Sequence, residues 1–145
     1  LPNLKMAGNL QACIFLDDNG RCSIHSARPG ICRLFPLGRY YEAHGFRYFL
    51  QVHECRKTNR SKIKVKKWLD TPNLKQYEKF ITDWHYFLED AGNLVTEGRG
   101  EESFRNLNLY ILQNFYRKPY DAAADFYAQF EERMREAKTL LEQLS

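Results

Sequence analysis

No run of apolar residues in this 145-residue chain approaches the roughly 20 that a membrane-crossing helix needs, and no signal-peptide pattern opens it. A soluble, cytoplasmic protein with no membrane partner is the expectation. No glycine-rich loop follows a strand, so the usual phosphate cradle of nucleotide-dependent enzymes is missing. The short Cys-x2-Cys knuckle that makes zinc ribbons recognisable does not occur. No His–Cys pair close in sequence suggests a catalytic thiol. Internal repeats and low-complexity stretches are lacking too.

What is there suits a single domain, residues 1–145, with a core of its own. The 21 aromatic residues supply large packing units. The net charge of +4 hides an asymmetry: residues 1–67 carry 13 Lys/Arg against 4 Asp/Glu, whereas residues 68–145 carry 9 against 14. That division suggests two differently employed parts, a cysteine-rich part over 1–67 and a helical part over 68–145. All four cysteines lie in the basic part, where cationic charge can complement thiolates, an anionic cluster or an acidic partner.

In the first part, the Asn19-Gly20 turn between Ala12–Leu16 and Arg21–Ile24 predicts a small hairpin with Cys13 and Cys22 at its base. Ser26 as N-cap and Pro29 in the first turn predict a short helix from about Ala27 to Leu34, carrying Cys32 and stopping before Pro36. Alternating aromatic and polar residues from Arg39 to His53, around Ala43-His44-Gly45, predict a second hairpin, with Cys55 just beyond it. In the second part, Tyr77, Phe80, Ile81, Trp84, Phe87 and Leu88 recur at helical spacing, giving a helix of about 17 residues that Thr71-Pro72 would start. A further helix is expected over Glu101–Phe115, with Phe104, Leu107, Tyr110, Ile111 and Phe115 inward. The last would run from Asp121 to the end on Phe126, Phe130, Met134, Leu140 and Leu144. Stripes of this kind read as core. The fold class is therefore α+β, a small cysteine-rich hairpin region packed on about three α-helices.

The cysteines are spaced Cys13-x8-Cys22-x9-Cys32-x22-Cys55. Buried structural thiols, two disulfides and metal ligation compete as explanations. Metal ligation accounts best for four polar-flanked cysteines within 43 residues at the ends of predicted hairpins. Thiolates need a cation or nearby positive charge to lower their pKa, and Arg21, Arg33 and Arg56 each adjoin a cysteine. Soft thiolate ligands suit zinc or an iron–sulfur cluster and argue against calcium or magnesium.

The stretch from Cys13 to Pro36, with Cys13-Ile-Phe-Leu, Gly20-Arg-Cys22-Ser-Ile-His25 and Arg28-Pro-Gly-Ile-Cys32-Arg-Leu-Phe-Pro36, resembles the YkgJ-type cysteine-cluster family. That family is described as zinc- or iron-chelating and includes relatives of flagellin lysine-N-methylase. Its pattern runs C-x-F-L, then G-x-C-S-I-Y, then R-P-x-x-C-R-x-F-P. Cys55 fits its later cysteine. The resemblance implies that Cys13, Cys22, Cys32 and Cys55 ligate metal, as an iron–sulfur cluster or zinc. The family's upstream block of closely spaced cysteines does not occur here. Because the chain begins at Leu1, the four cysteines are expected to be part of a larger ligand set. His25 stands where the family has tyrosine and is expected as a packed or hydrogen-bonded ring.

Three functions stay open at this point. A metal-binding protein of unknown reaction leads. The methylase relatives imply a lysine N-methylase, or a component of one, using S-adenosylmethionine. A zinc-stabilised nucleic-acid module is the third. It would use the seven basic residues of Arg56–Lys67, where Lys62, Lys64 and Lys66 alternate with Ile63 and Val65 as an extended segment with one cationic face. Tyr40, Tyr41, Phe46, Tyr48 and Phe49 could then stack on bases, although packing against the helices is the simpler role. The solvated reading of the basic run is favoured over nucleic acid, and an unspecified protein partner is compatible with either. Of the histidines, only His53 is placed to serve as a further ligand.

Overall fold

A computed structural model describes residues 5–9, 12–54, 61–96 and 101–144. The chain divides into two compact units, Pro2–Pro72 and Asn73–Ser145. With two small antiparallel hairpins and five α-helices among the described residues, the fold is α+β.

In the N-terminal unit, β1 (Met6–Ala7) pairs antiparallel with β2 (Ala12–Cys13), Met6 opposite Cys13 and Ala7 opposite Ala12. The expected hairpin around Asn19-Gly20 is reduced to a loop closed by one bridge, Leu16 to Cys22. Asp17 explains the reduction. Its Oδ1 accepts from the backbone N–H of Asn19 (2.9 Å) and of Arg21 (2.8 Å), an Asx arrangement that competes with strand pairing. Gly20 takes φ +70°, as a tight turn there requires.

The expected helix from Ala27 is broken in two. A 3₁₀ turn covers His25–Ala27, and α1 covers only Gly30–Leu34. Between them Arg28 (ψ 135°) and Pro29 (ψ 152°) are extended, because the proline ring disfavours helical backbone in the residue before it. Ser26 therefore caps nothing, and Pro29 stands at the N-cap position of α1. The helix stops at Leu34, before the cis Phe35–Pro36 peptide.

The second hairpin forms as expected, with β3 (Leu37–Glu42) against β4 (Gly45–Leu50) across the two-residue turn Ala43-His44. Gly38 lies opposite Phe49, and a Cβ there would come 2.6 Å from the ring's Cε1, so a larger residue would require the exposed Phe49 ring to shift. Tyr41, Phe46 and Tyr48 pack on one another, at 5.5 Å and 5.1 Å between centroids, while Tyr40 and Phe49 are exposed. The alternating basic run stays extended only as far as Lys64. From Val65 it turns into α2 (Val65–Leu69), closed by Asp70 in the left-handed region at φ +47°. Leu34 and Leu69, 3% and 1% exposed, are the buried hydrophobics of this unit among the described residues, and Trp68 Nε1 donates to the Leu34 carbonyl at 3.4 Å.

The C-terminal unit holds three long helices. α3 spans Leu74–Thr96 and is capped by Asn73, not by Thr71-Pro72. Asn73 Oδ1 accepts from Gln76 N–H (3.2 Å) and its Nδ2 donates to Gln76 Oε1 (2.6 Å). The Thr71 hydroxyl donates instead to the Leu69 carbonyl. α4 (Glu101–Ile111) continues as a π-helical turn over Leu112–Arg117, where Lys118 N–H bonds the Gln113 carbonyl at 2.7 Å. α5 begins only at Phe126 and runs to Leu144. The stretch from Asp121, expected as helix, is a loop in which Asp125 Oδ1 caps the Ala128 N–H at 2.7 Å.

Phe87, Leu107, Ile111, Phe115, Phe130, Met134, Ala137 and Leu141 form the core of this unit. Ala137 and Leu141, rather than Leu140, continue the Phe130–Met134 stripe at seam spacing. Phe104 is 44% exposed, against the expectation that it faces inward.

Candidate metal centre

Cys13 and Cys22 sit on the two limbs of one loop. The Cys13 carbonyl accepts from Leu16 N–H at 3.1 Å, and Leu16 bridges Cys22. A β-turn holds its end Cα atoms within about 7 Å and a bridged pair lies about 5 Å apart, so the Cα atoms of Cys13 and Cys22 are within about 12 Å of each other. The Phe15 carbonyl fixes the limbs by accepting from both Ser23 N–H (2.8 Å) and Ser23 Oγ (3.0 Å). The Asp17 carboxylate rigidifies the tip.

Cys32 comes from a different element. It lies in α1, and its N–H bonds the Pro29 carbonyl at 2.9 Å. The Trp68–Leu34 hydrogen bond ties that helix to α2. No local pattern in the sequence announced this tie, because its partners lie 34 residues apart. Arg33, expected as a donor towards the thiols, uses Nε on the Arg28 carbonyl at 3.1 Å. Cys55 and Arg56 lie outside the described residues.

Cys13, Cys22 and Cys32 are each half-buried free thiols, with no disulfide between them. Their chemistry fits a soft metal: three thiol donors within reach of solvent, in a part of the chain rich in positive charge. They do not close a site by themselves. Among the described residues no group of three or more His, Cys, Asp or Glu side chains is gathered to hold a metal ion.

The remaining candidates separate clearly. His25, expected to be packed, is exposed in its 3₁₀ turn, and His53 is exposed beyond β4. His44 occupies the turn at φ +73°, and His85 packs its ring on Tyr86 in α3. Of the basic run, Lys62, Lys64, Lys66 and Lys67 are exposed, and residues 56–60 lie outside the described residues. No helix among the described residues is long and apolar enough to cross a membrane.

Against known proteins, the model of the CxxCxxCC family, described as "Putative zinc- or iron-chelating domain", matches residues 3–71. The matched stretch covers the first loop, Cys32 in α1, the β3–β4 hairpin and α2. No curated protein and no solved structure matches the chain.

Proposed function

We infer, from a chain whose residues 3–71 belong to the CxxCxxCC cysteine-cluster family, that the N-terminal unit binds zinc or an iron–sulfur cluster through Cys13, Cys22, Cys32 and Cys55. The observation that carries this reading is the state of the three described thiols within the matched residues. They are half-buried, unpaired by disulfides and delivered by two backbone segments, the Cys13–Cys22 loop and α1. A bound metal would cross-link those elements, which share little apolar core: among the described residues Leu34 and Leu69 are the buried hydrophobics of this unit. In a small unit such a metal contributes folding free energy directly. The bound group would supply either a structural cross-link or, as a cluster, an electron-transfer centre. The protein's part is to present deprotonated thiols in a cationic setting.

Anaerobic purification followed by elemental analysis and absorbance spectroscopy tests the reading. Stoichiometric zinc, or iron with acid-labile sulfide and a brown chromophore, is expected. Metal-free protein whose cysteines are paired as disulfides would overturn it.

A further inference from the structure

The C-terminal unit contains a cavity of about 150 Å³ that the metal reading does not use. Its walls come from three places in the sequence: Phe80 and Trp84 of α3, Phe115 and Tyr116 of the π-helical turn, and Tyr120 with the start of α5 at Phe126 and Phe130. Every lining side chain among the described residues is aromatic. Neighbouring rings meet at 4.5 Å (Phe80–Phe130), 4.8 Å (Trp84–Phe115) and 4.8 Å (Tyr120–Phe126), so the walls support one another. Tyr116 and Phe126, 43% and 39% exposed, stand at the open side.

Three observations point to a ligand rather than to loose packing. The concavity is open on one side, and its volume of about 150 Å³ is large enough to admit a benzene-sized molecule. The wall is also held rigidly. Arg133, 7% exposed, stacks on Tyr120 at 3.6 Å from the ring centroid and donates to the carbonyls of Asn114 (2.6 Å), Lys118 (2.9 Å) and Pro119 (2.7 Å). Finally, two lining residues are carried by a π-helical turn, a rare conformation that occurs frequently at functional sites.

The chemistry of the walls selects among ligands. Aromatic faces attract cations, but among the described residues no carboxylate lines this cavity, and the guanidinium of Arg133 already lies against Tyr120. A cationic ligand would meet like charge. The polar groups of the lining residues already have partners, Trp84 with Tyr116 and Tyr120 with Arg133, which leaves ring faces and edges to meet a neutral guest. We propose that this cavity binds a single neutral aromatic ring presented by a free small molecule. Edge-to-face contacts with the surrounding rings would hold it.

The test uses the whole chain and fluorobenzene as probe, followed by fluorine and indole N–H resonances. The sequence has two tryptophans, which supply an internal control. Trp84 lines the cavity, whereas Trp68 belongs to the N-terminal unit; a Trp68→Phe variant assigns the two signals. Saturable shifts are expected at the Trp84 indole in roughly the millimolar range or below, with Trp68 unmoved. Benzene should compete, and tetramethylammonium should not. Phe126→Trp or Tyr116→Trp, which place more ring volume at the mouth, should weaken binding at least tenfold with helical circular dichroism retained. Absence of a saturable shift, equal shifts at both indoles, or competition by tetramethylammonium would overturn the proposal. The wild-type readout decides even where neither filling variant folds.

Discussion

Arg133 shows how one residue can organise a unit without an acidic partner in its hydrogen-bond set. Its guanidinium meets three carbonyls at the C-terminal end of the α4–π segment, where the helix dipole concentrates partial negative charge. A planar fork can serve three acceptors and stack on Tyr120 at once, which a lysine ammonium cannot do. Arg133→Ala should therefore destabilise the C-terminal unit by about 2–3 kcal/mol, because hydrogen bonds to a charged group are lost and buried carbonyls go unpaired. Arg133→Lys should recover less than half of that. Urea unfolding followed by tryptophan fluorescence of a Trp68→Phe background measures both, and equal stability of Arg133→Lys and wild type would refute the fork argument. Nothing in the sequence marks Arg133 off from Arg135 two positions later. Its role depends on a loop 14 to 19 residues upstream, so it was not legible in advance.

At the scale of elements, the sequence was legible where a local rule acts alone. The β3–β4 hairpin follows from alternation around a short turn, and the stripe of α3 from helical periodicity. It misled where two local rules competed. Ser26 and Pro29 each favour a helix start, yet the residue before proline resists helical backbone, and α1 is short. Thr71-Pro72 suggests the helix start, yet Asn73 is the cap, its Oδ1 accepting from the Gln76 N–H while its Nδ2 donates to Gln76 Oε1. Asn73→Ala should consequently cost about 1 kcal/mol, while Thr71→Ala should leave the stability of α3 nearly unchanged; thermal unfolding of the two variants side by side compares them. In the cysteine loop, Asn19-Gly20 signals the turn, but the Asp17 carboxylate competes with strand pairing for the backbone N–H groups of Asn19 and Arg21. The π-helical turn carries no sequence signature, because the stripe through Ile111 and Phe115 keeps ordinary helical spacing.

For the whole molecule, the two ends of the charge asymmetry fall in two compact units with different chemistry. The C-terminal unit has an alkaline limit built into it. Burial raises the phenol pKa of Tyr110, Tyr116, Tyr120 and Tyr127 above the usual value near 10. Hydrogen bonds to Asp83 and Glu131 raise that of Lys79. All five shifts are upward, so their stabilising contribution is complete below about pH 10 and is lost as the pH rises above it. Helical circular dichroism should stay level to about pH 10 and then fall, and a chain that keeps its helix at higher pH would contradict this. In the N-terminal unit Cys13, Cys22 and Cys32 are half-buried free thiols, and Cys55 lies outside the described residues. X-ray absorption at the metal edge of anaerobically purified protein addresses those thiols directly. The account predicts a shell of sulfur donors, at about 2.3 Å for zinc, which loses sulfur when Cys13, Cys22, Cys32 or Cys55 is changed to serine; a shell of nitrogen and oxygen alone, unmoved by those substitutions, would contradict it.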